Sequence, residues 1–144
     1  MASANFRAGV VAVVTNSRDQ LLAFERSDIP GAWQLPQGGI DVDEQPLEAA
    51  WRELGEETGL GSSDVELRGE YPDWTVYEFP DHVRAEGKRF GQVQRWYFFR
   101  VLDDDVTPTP DHVEFVDWRW VERAWLVEHV VGFRRGVYRT VLLA

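Results

Sequence analysis

The organisation of this chain is decided by one stretch of its sequence, Pro46-Leu47-Glu48-Ala49-Ala50-Trp51-Arg52-Glu53-Leu54-Gly55-Glu56-Glu57-Thr58-Gly59. The apolar residues of this stretch recur every three or four positions, which predicts an amphipathic helix that begins near Pro46. Gly59 comes directly after the last position of this pattern and is placed to close the helix in a left-handed cap. We therefore expect one helix from Pro46 to Thr58.

Three glutamates of this helix, Glu53, Glu56 and Glu57, fall on the side opposite its apolar stripe. Like charges at these spacings repel, and the helix dipole disfavours negative charge in the C-terminal half of a helix. A hard divalent cation would convert this repulsion into coordination. A surface helix that is merely acidic is the alternative interpretation. Arg52 is placed to pair with Glu48 or with Glu44.

The segments around the helix are mostly strand-forming. Residues 27–39 contain two prolines and three glycines, which predicts an irregular loop whose glycines let a main-chain carbonyl approach a ligand. Strands are predicted over residues 6–14 and 20–24, as a hairpin, and over residues 65–71, 74–79, 92–102 and 115–121. Helical spacing returns over residues 122–129 and 132–143. This order predicts an α+β sandwich in a single domain, residues 1–144, and not a βαβ fold.

Composition excludes several classes of function. The net charge of −10 argues against duplex-DNA binding, because surfaces that bind duplex DNA are usually basic. The absence of cysteine excludes disulfides, thiolate metal sites and thiol catalysis. The apolar run at residues 10–14 is far shorter than the ~20 residues of a membrane helix. We therefore expect no membrane association and a cytoplasmic location, and the oligomeric state stays open.

A family resemblance covers residues 38–60. Gly38, Glu44 and the run Arg52-Glu53-Leu54-Gly55-Glu56-Glu57-Thr58-Gly59-Leu60 match the Nudix box at its defining positions. The resemblance implies the Nudix α/β/α sandwich, with a mixed central sheet and a loop–helix–loop catalytic motif. It also implies Mg²⁺ or Mn²⁺ as cofactor and hydrolysis of a phosphoanhydride bond in a nucleotide-type substrate.

Further stretches narrow the resemblance. Residues 28–39, 91–98, 114–121 and 130–138 are similar to the group of bacterial RNA 5′-pyrophosphohydrolases and asymmetrical diadenosine tetraphosphate hydrolases. Residues 28–34 resemble the second branch more closely, whereas residues 71–90 match neither branch cleanly except at Tyr77–Pro80. The substrate, an RNA 5′ end or a dinucleoside polyphosphate such as diadenosine tetraphosphate, is therefore left open, as is another nucleoside diphosphate derivative.

The resemblance assigns roles to individual residues. The metal ligands would be the Gly38 carbonyl and the carboxylates of Glu53, Glu56, Glu57 and Glu114. The catalytic residues would be Arg52, Glu53, Glu57 and Glu114, with Glu53 or Glu114 as the general base. Residues that bind substrate would be Arg7, Arg26, Gln37, Tyr77, Arg95, Phe133 and Arg134, the arginines on phosphate and the two rings on a base.

Each of these roles has a structural alternative. Glu114 could be an exposed carboxylate at a strand edge, the arginines could be solvated surface residues, and Phe133 could pack in the core. For the whole protein, the alternatives are a nucleotide sensor without catalysis and an acidic interaction module. The intact set of box carboxylates favours the enzyme over the sensor, and the breaker-rich loop beside the acidic helix argues against the module.

Overall fold

The structure is a computed structural model that describes residues 6–84 and 90–143. It contains eight strands, with four α-helices and one 3₁₀ turn in the described residues. The strands are β1 (Phe6–Thr15), β2 (Leu21–Arg26), β3 (Trp33–Gln34), β4 (Gln37–Gly39), β5 (Val65–Glu70), β6 (Thr75–Glu78), β7 (Gly91–Val101) and β8 (Phe115–Val121). The helices are α1 (Pro46–Thr58), α2 (Asp81–Arg84), α3 (Arg123–His129) and α4 (Arg135–Leu142), with the 3₁₀ turn at Gly132–Arg134.

The sheet is mixed, as the family resemblance implies. β1 runs parallel to β7 along its whole length, and the other pairings are antiparallel. β1 meets β2 only at Thr15 and Leu21, whereas its first half pairs with β4 at Gly9–Val11. β1 and β2 are therefore paired only near the turn that joins them, and β4 pairs with β1 where β2 has moved away. This pairing carries Gln37, Gly38 and Gly39 to the middle of the molecule.

Helices cover both faces of the sheet because successive side chains of a strand point to opposite faces. The even-numbered residues of β1, among them Val10 and Val14, pack with Ala50 and Leu54 of α1. The odd-numbered residues Val11 and Val13 pack on the other face with buried residues of α3 and α4. The result is the expected α/β/α arrangement, with α1 fixed by a continuous apolar core.

The helix α1 has the predicted bounds. Glu48 accepts a hydrogen bond of 2.8 Å from the N–H of Gln45, which partners one of the free donors at the start of the helix. Gly59 adopts a left-handed φ of 76°, and its N–H donates to the Gly55 carbonyl at 2.9 Å. A Cβ at Gly59 would stand 2.2 Å from Thr109 Oγ1, so glycine is required by both conformation and space.

Several details differ from the sequence-based prediction. The segment predicted as a loop contains β3 and β4, because neighbouring strands supply hydrogen-bonding partners for it despite its prolines and glycines. The predicted hairpin is closed at a single pair of residues, since β4 occupies the edge of β1 that β2 would need. The short helix α2 was not predicted, and a 3₁₀ turn divides the last helical segment. Positions 85–89, within the poorly matched residues 71–90, lie outside the described residues.

No helix in the described part of the chain is both long and apolar enough to cross a membrane.

Candidate active site

The three glutamates of α1 lie at different depths. Glu57 is only 4% exposed, and its Oε1 accepts a 3.1 Å hydrogen bond from the main-chain N–H of Gln37. Glu53 is partly buried against Gly38, where an added Cβ would stand 2.0 Å from the Glu53 carboxyl carbon. Glu56 is largely exposed. The three predicted carboxylates thus range from buried Glu57 through Glu53 to exposed Glu56. The absence of a side chain at Gly38 leaves space for Glu53.

Arg52 joins this series to the preceding loop. Its guanidinium donates to both carboxylate oxygens of Glu44 at 2.8 and 2.9 Å and to the carbonyl of Gly39 at 2.8 Å. It also contacts Glu53 at 2.7 Å and Glu56 at 3.2 Å. Of the two predicted partners of Arg52, the structure shows Glu44, because Glu48 caps the helix start instead.

Burial and charge determine the protonation of these groups. Burial, with repulsion from the Glu114 and Glu53 carboxylates, raises the pKa of Glu57 to about 10. Burial also raises the pKa of Glu53, although Arg52 opposes that rise. The hydrogen bonds from Arg52 hold the pKa of Glu44 at about 2. Glu53, Glu57 and Glu114 are therefore close enough to repel, and a bound cation would relieve that repulsion.

A cavity of about 570 Å³ opens beside this cluster. Gly38, Glu53 and Glu114 contribute to its lining, which places the exposed Glu114 at the site and not at an isolated strand edge. The cavity is also lined by three arginines and by three buried glutamines, which are Arg7, Arg26, Arg134, Gln34, Gln37 and Gln92. Negative and positive side chains therefore share one open space, a combination suited to a metal ion with a polyphosphate.

The three arginines of this cavity are held in different ways. Arg134 is 8% exposed and donates to the amide oxygen of Gln34 and, at 3.2 Å, to the hydroxyl of Tyr77. Arg7 is exposed and lies against Gly39, where a Cβ would stand 2.6 Å from its Nη2. Arg26 forms a two-bond salt bridge with Asp28. Among the described residues, no salt bridge to Arg134 is seen, so this buried cation can accept an anion.

The structure does not bring Arg95 to the cavity. Its guanidinium pairs with Glu70 and stands 5.4 Å from the centre of the Trp74 ring. Because side chains alternate along β7, Arg95 points to the face opposite that of Gln92, which lines the cavity. Arg95 therefore does not line the cavity, and the cavity geometry gives no support to its predicted contact with substrate phosphate.

Tyr77 and Phe133 line a neighbouring groove and not the cavity itself. Their ring centres are 5.7 Å apart, and Tyr77 is only 7% exposed. Phe133 is partly buried in the same aromatic cluster. Arg134 contacts the Tyr77 hydroxyl and lines the cavity, so it connects the groove to the cavity.

A NUDIX domain model matches residues 5–141 of the chain. The chain belongs to the Nudix family. It is 43% identical over 143 residues to an RNA pyrophosphohydrolase of Cereibacter sphaeroides, covering 95% of this chain and 88% of that protein. It is also 43% identical to an RNA pyrophosphohydrolase of Rhodospirillum rubrum, with 95% and 85% covered.

A solved structure supports the same fold. The Escherichia coli dihydroneopterin triphosphate pyrophosphohydrolase superposes with a TM-score of 0.77 at 16% identity, covering 96% of this chain and 97% of that chain. The protein is therefore a Nudix hydrolase, an enzyme of a family that generally uses divalent metals.

The donor set of this Nudix hydrolase fits a hard divalent cation. The groups around Gly38 are carboxylate and carbonyl oxygens, and burial followed by repulsion from the Glu114 and Glu53 carboxylates raises the pKa of Glu57. Within residues 6–84 and 90–143, no group of three or more acidic or histidine side chains is arranged to hold a metal ion. Arg52 Nη1 donates to both Glu53 and Glu56, so these two carboxylates are turned toward the arginine.

Sequence reasoning missed Gln34, Gln92 and Asp28, which also line the cavity of this Nudix hydrolase. The two glutamines lie within strands and are buried, at 5% and 8% exposure. A buried polar side chain in a strand usually signals a required hydrogen-bonding partner. The alternation of polar Gln92 and Gln94 along β7 was the available signal for this.

Proposed function

We propose that this Nudix hydrolase is a pyrophosphohydrolase that acts on the 5′-triphosphate end of RNA. The observation that carries the proposal is the cavity in which Glu53 and Glu114 stand together with three arginines. A triphosphate end has the charge that such arginines bind, and it has the anhydride bonds that the family hydrolyses. The two bacterial relatives that share 43% of their aligned residues with the chain are RNA pyrophosphohydrolases.

The proposed cofactor is Mg²⁺ or Mn²⁺. The groups proposed to hold it are the Gly38 carbonyl and the carboxylates of Glu53, Glu56, Glu57 and Glu114. When bound, such an ion lowers the pKa of water and neutralises phosphate oxygens. Glu56 is the outermost of these groups, lies outside the cavity lining and contacts Arg52 at 3.2 Å, so its side chain would have to turn to reach a metal ion in the cavity.

The protein's own side chains would then divide the remaining work. Glu53 or Glu114 accepts the proton of the attacking water, because both lie at the cavity and are carboxylates. Arg52 positions Glu53 and holds the Gly39 carbonyl. The main-chain N–H of Gln37 orients Glu57. These contacts fix the carboxylates before substrate arrives, which reduces the reorganisation needed during reaction.

Substrate binding is proposed to use the basic part of the cavity and the adjoining groove. Arg7, Arg26 and Arg134 would bind phosphate oxygens, with Gln37 as a further polar contact. Tyr77 and Phe133 would meet a nucleobase in the groove of about 570 Å³ that they line. Arg134 lines the cavity and donates to the hydroxyl of Tyr77, which lines the groove, so a nucleotide with its phosphates in the cavity would have its base near the groove.

A dinucleoside polyphosphate, such as diadenosine tetraphosphate, is the second candidate substrate. Residues 28–34 favour it, because this stretch resembles the diadenosine tetraphosphate branch more closely. The stretch includes Asp28 and Gln34, which line the cavity. Both candidates contain a polyphosphate chain. Its outer end is free on triphosphorylated RNA but carries a second nucleoside in diadenosine tetraphosphate, so a direct comparison of substrates separates them.

The test compares catalytic efficiency on 5′-triphosphorylated RNA, diadenosine tetraphosphate, ATP and a nucleotide sugar in the presence of Mg²⁺ or Mn²⁺. The first two should exceed the others, with the RNA highest. An advantage of about tenfold or more for the nucleotide sugar would contradict the proposed substrate class. Binding of nucleotide without any product would instead support a sensor that lacks catalysis.

A further inference from the structure

Arg26, at the end of β2, already binds a carboxylate with the Nε–Nη2 edge of its guanidinium. Arg26 Nε donates to one carboxylate oxygen of Asp28 at 2.9 Å, and its Nη2 donates to the other at 2.8 Å. Arginine offers phosphate the same edge, with two parallel N–H groups, as it offers a carboxylate. Arg26 and Asp28 both line the cavity, so the salt bridge lies within the space proposed for the phosphates.

The backbone around this pair is well fixed. The N–H of Arg26 donates to the Ala32 carbonyl at 2.9 Å, and the N–H of Ser27 donates to the Glu114 carbonyl at 2.8 Å. The side chains differ in exposure, with Arg26 at 20% and Asp28 at 62%. Asp28 can therefore swing into solvent while Arg26 keeps its place. Because Asp28 is 62% exposed, water can hydrate its carboxylate when the pair opens, which offsets part of the cost of breaking the two hydrogen bonds.

We propose that Asp28 occupies the phosphate-binding edge of Arg26 in the free enzyme and is exchanged for a phosphate oxygen on binding. Asp28 thereby lowers the affinity of the cavity for polyphosphate substrate and also for pyrophosphate product. Its effect on the product would favour release, because the returning carboxylate competes for Arg26. This inference rests on the proposed function, which places a polyphosphate in the cavity.

The experiment measures the dissociation constant of inorganic pyrophosphate by tryptophan fluorescence, at fixed Mg²⁺ and fixed ionic strength. Asp28→Asn should bind pyrophosphate about two- to fivefold more tightly than the unmodified protein, the gain typical of removing a weak competing ion pair. In an Arg26→Gln background, Asp28→Asn should change the constant by less than about 1.5-fold, because the residue it competes for is absent. Asp117→Asn is the matched control, since it removes an exposed aspartate of β8 that does not line the cavity.

Three results would overturn the inference. The first is an unchanged or weaker affinity in Asp28→Asn, and the second is equal tightening in the Arg26→Gln background, which would indicate a general charge effect. The third is failure of both the unmodified protein and Asp28→Asn to bind pyrophosphate. The titration measures binding without turnover. Failure of the proposed function would instead be seen as the absence of product from triphosphorylated RNA, so the two failures can be distinguished.

Discussion

The main-chain N–H of Gln37 donates to the Glu57 carboxylate at 3.1 Å, across 20 residues of sequence. This bond ties β4 to α1 and thereby holds Gly38 against Glu53. It also stabilises one oxygen of a carboxyl group that is otherwise buried among other carboxylates. The side-chain oxygen of Gln37 is itself buried without a hydrogen-bonding partner among the described residues. The site therefore contains a buried hydrogen-bond acceptor that no group of the described residues satisfies.

Glu57→Gln should stabilise the metal-free protein and remove its activity. Burial raises the pKa of Glu57 to about 10 from its usual 4.5, so folding at neutral pH requires the carboxyl group to take up a proton. Glutamine avoids that cost, which we expect to be about 1–3 kcal/mol of unfolding free energy. Urea unfolding with chelator measures the gain, and catalysis should fall by about two orders of magnitude or more.

The gain from Glu57→Gln should depend on pH in a defined direction. A raised folded-state pKa means that the unmodified protein is most stable below pH 4.5 with respect to this group and loses that stability as pH rises toward about 10. The difference between the two proteins should therefore widen from pH 5 to pH 8. A gain that stays constant over this range would contradict the assigned protonation. Loss of stability would show that the carboxylate is a structural partner.

Gly38→Ala should reduce activity with a smaller effect on folding. The added Cβ would stand 2.0 Å from the Glu53 carboxyl carbon, so Glu53 must move. Misplacing a catalytic group by about 1 Å can cost about 100-fold in rate. Gly61→Ala is the control, because nothing lies within 4 Å of the corresponding Cβ there. Equal turnover by the two variants would argue against Glu53 as a metal ligand or base.

Arg52→Lys should lower both stability and tolerance to acid. Lysine keeps the charge but lacks the planar fork that binds both Glu44 oxygens together with the Gly39 carbonyl, so the free energy of unfolding should fall. Arg52 holds the pKa of Glu44 at about 2, below its usual 4.5, so the Glu44 contribution is present above pH 4.5 and is lost as pH falls toward 2. Acid titration should show Arg52→Lys unfolding at higher pH. Arg68→Lys, at an exposed pair with Glu66, should leave the acid midpoint unchanged.

Tyr77→Phe should weaken substrate binding more than folding. The substitution keeps the buried ring and removes the hydroxyl that accepts a hydrogen bond from Arg134. Arg134 would lose part of its positioning, which should raise KM while kcat changes little. Tyr77→Ala is a poor probe, because deleting a buried aromatic ring typically costs about 3–5 kcal/mol of stability. An unchanged KM in Tyr77→Phe would show that the Tyr77 hydroxyl has no role in substrate binding.

The sequence predicted those parts of the fold that depend on local pattern. The helix Pro46–Thr58 has the predicted bounds, because its apolar period, its proline and its terminal glycine all specify the same element. The strands β3 and β4 were missed, since their regular structure comes from hydrogen bonds to distant strands. Tyr77 was expected to be open to a base, but its burial depends on Phe79 and Phe133, which are brought to it by tertiary packing.

The same distinction applies to the candidate site. Box residues such as Glu53 and Gly38 could be found from spacing, whereas the side-chain direction of Arg95 depends on the register of β7. The pairing of Arg26 with Asp28 depends on the turn after β2, which motif spacing does not encode. The depth of Glu57 could not be read from a helical projection either, because a projection gives the direction of a side chain but not the groups that lie against it.

The most direct experiment incubates the enzyme with 5′-triphosphorylated RNA and measures released pyrophosphate with divalent metal or with chelator. We predict metal-dependent release by the unmodified protein and loss of that release in Glu57→Gln, although this variant should be at least as stable without metal. Release that persists in chelator, or full activity in Glu57→Gln, would contradict the metal-dependent mechanism. Failure to release product with either Mg²⁺ or Mn²⁺ would contradict the proposed substrate.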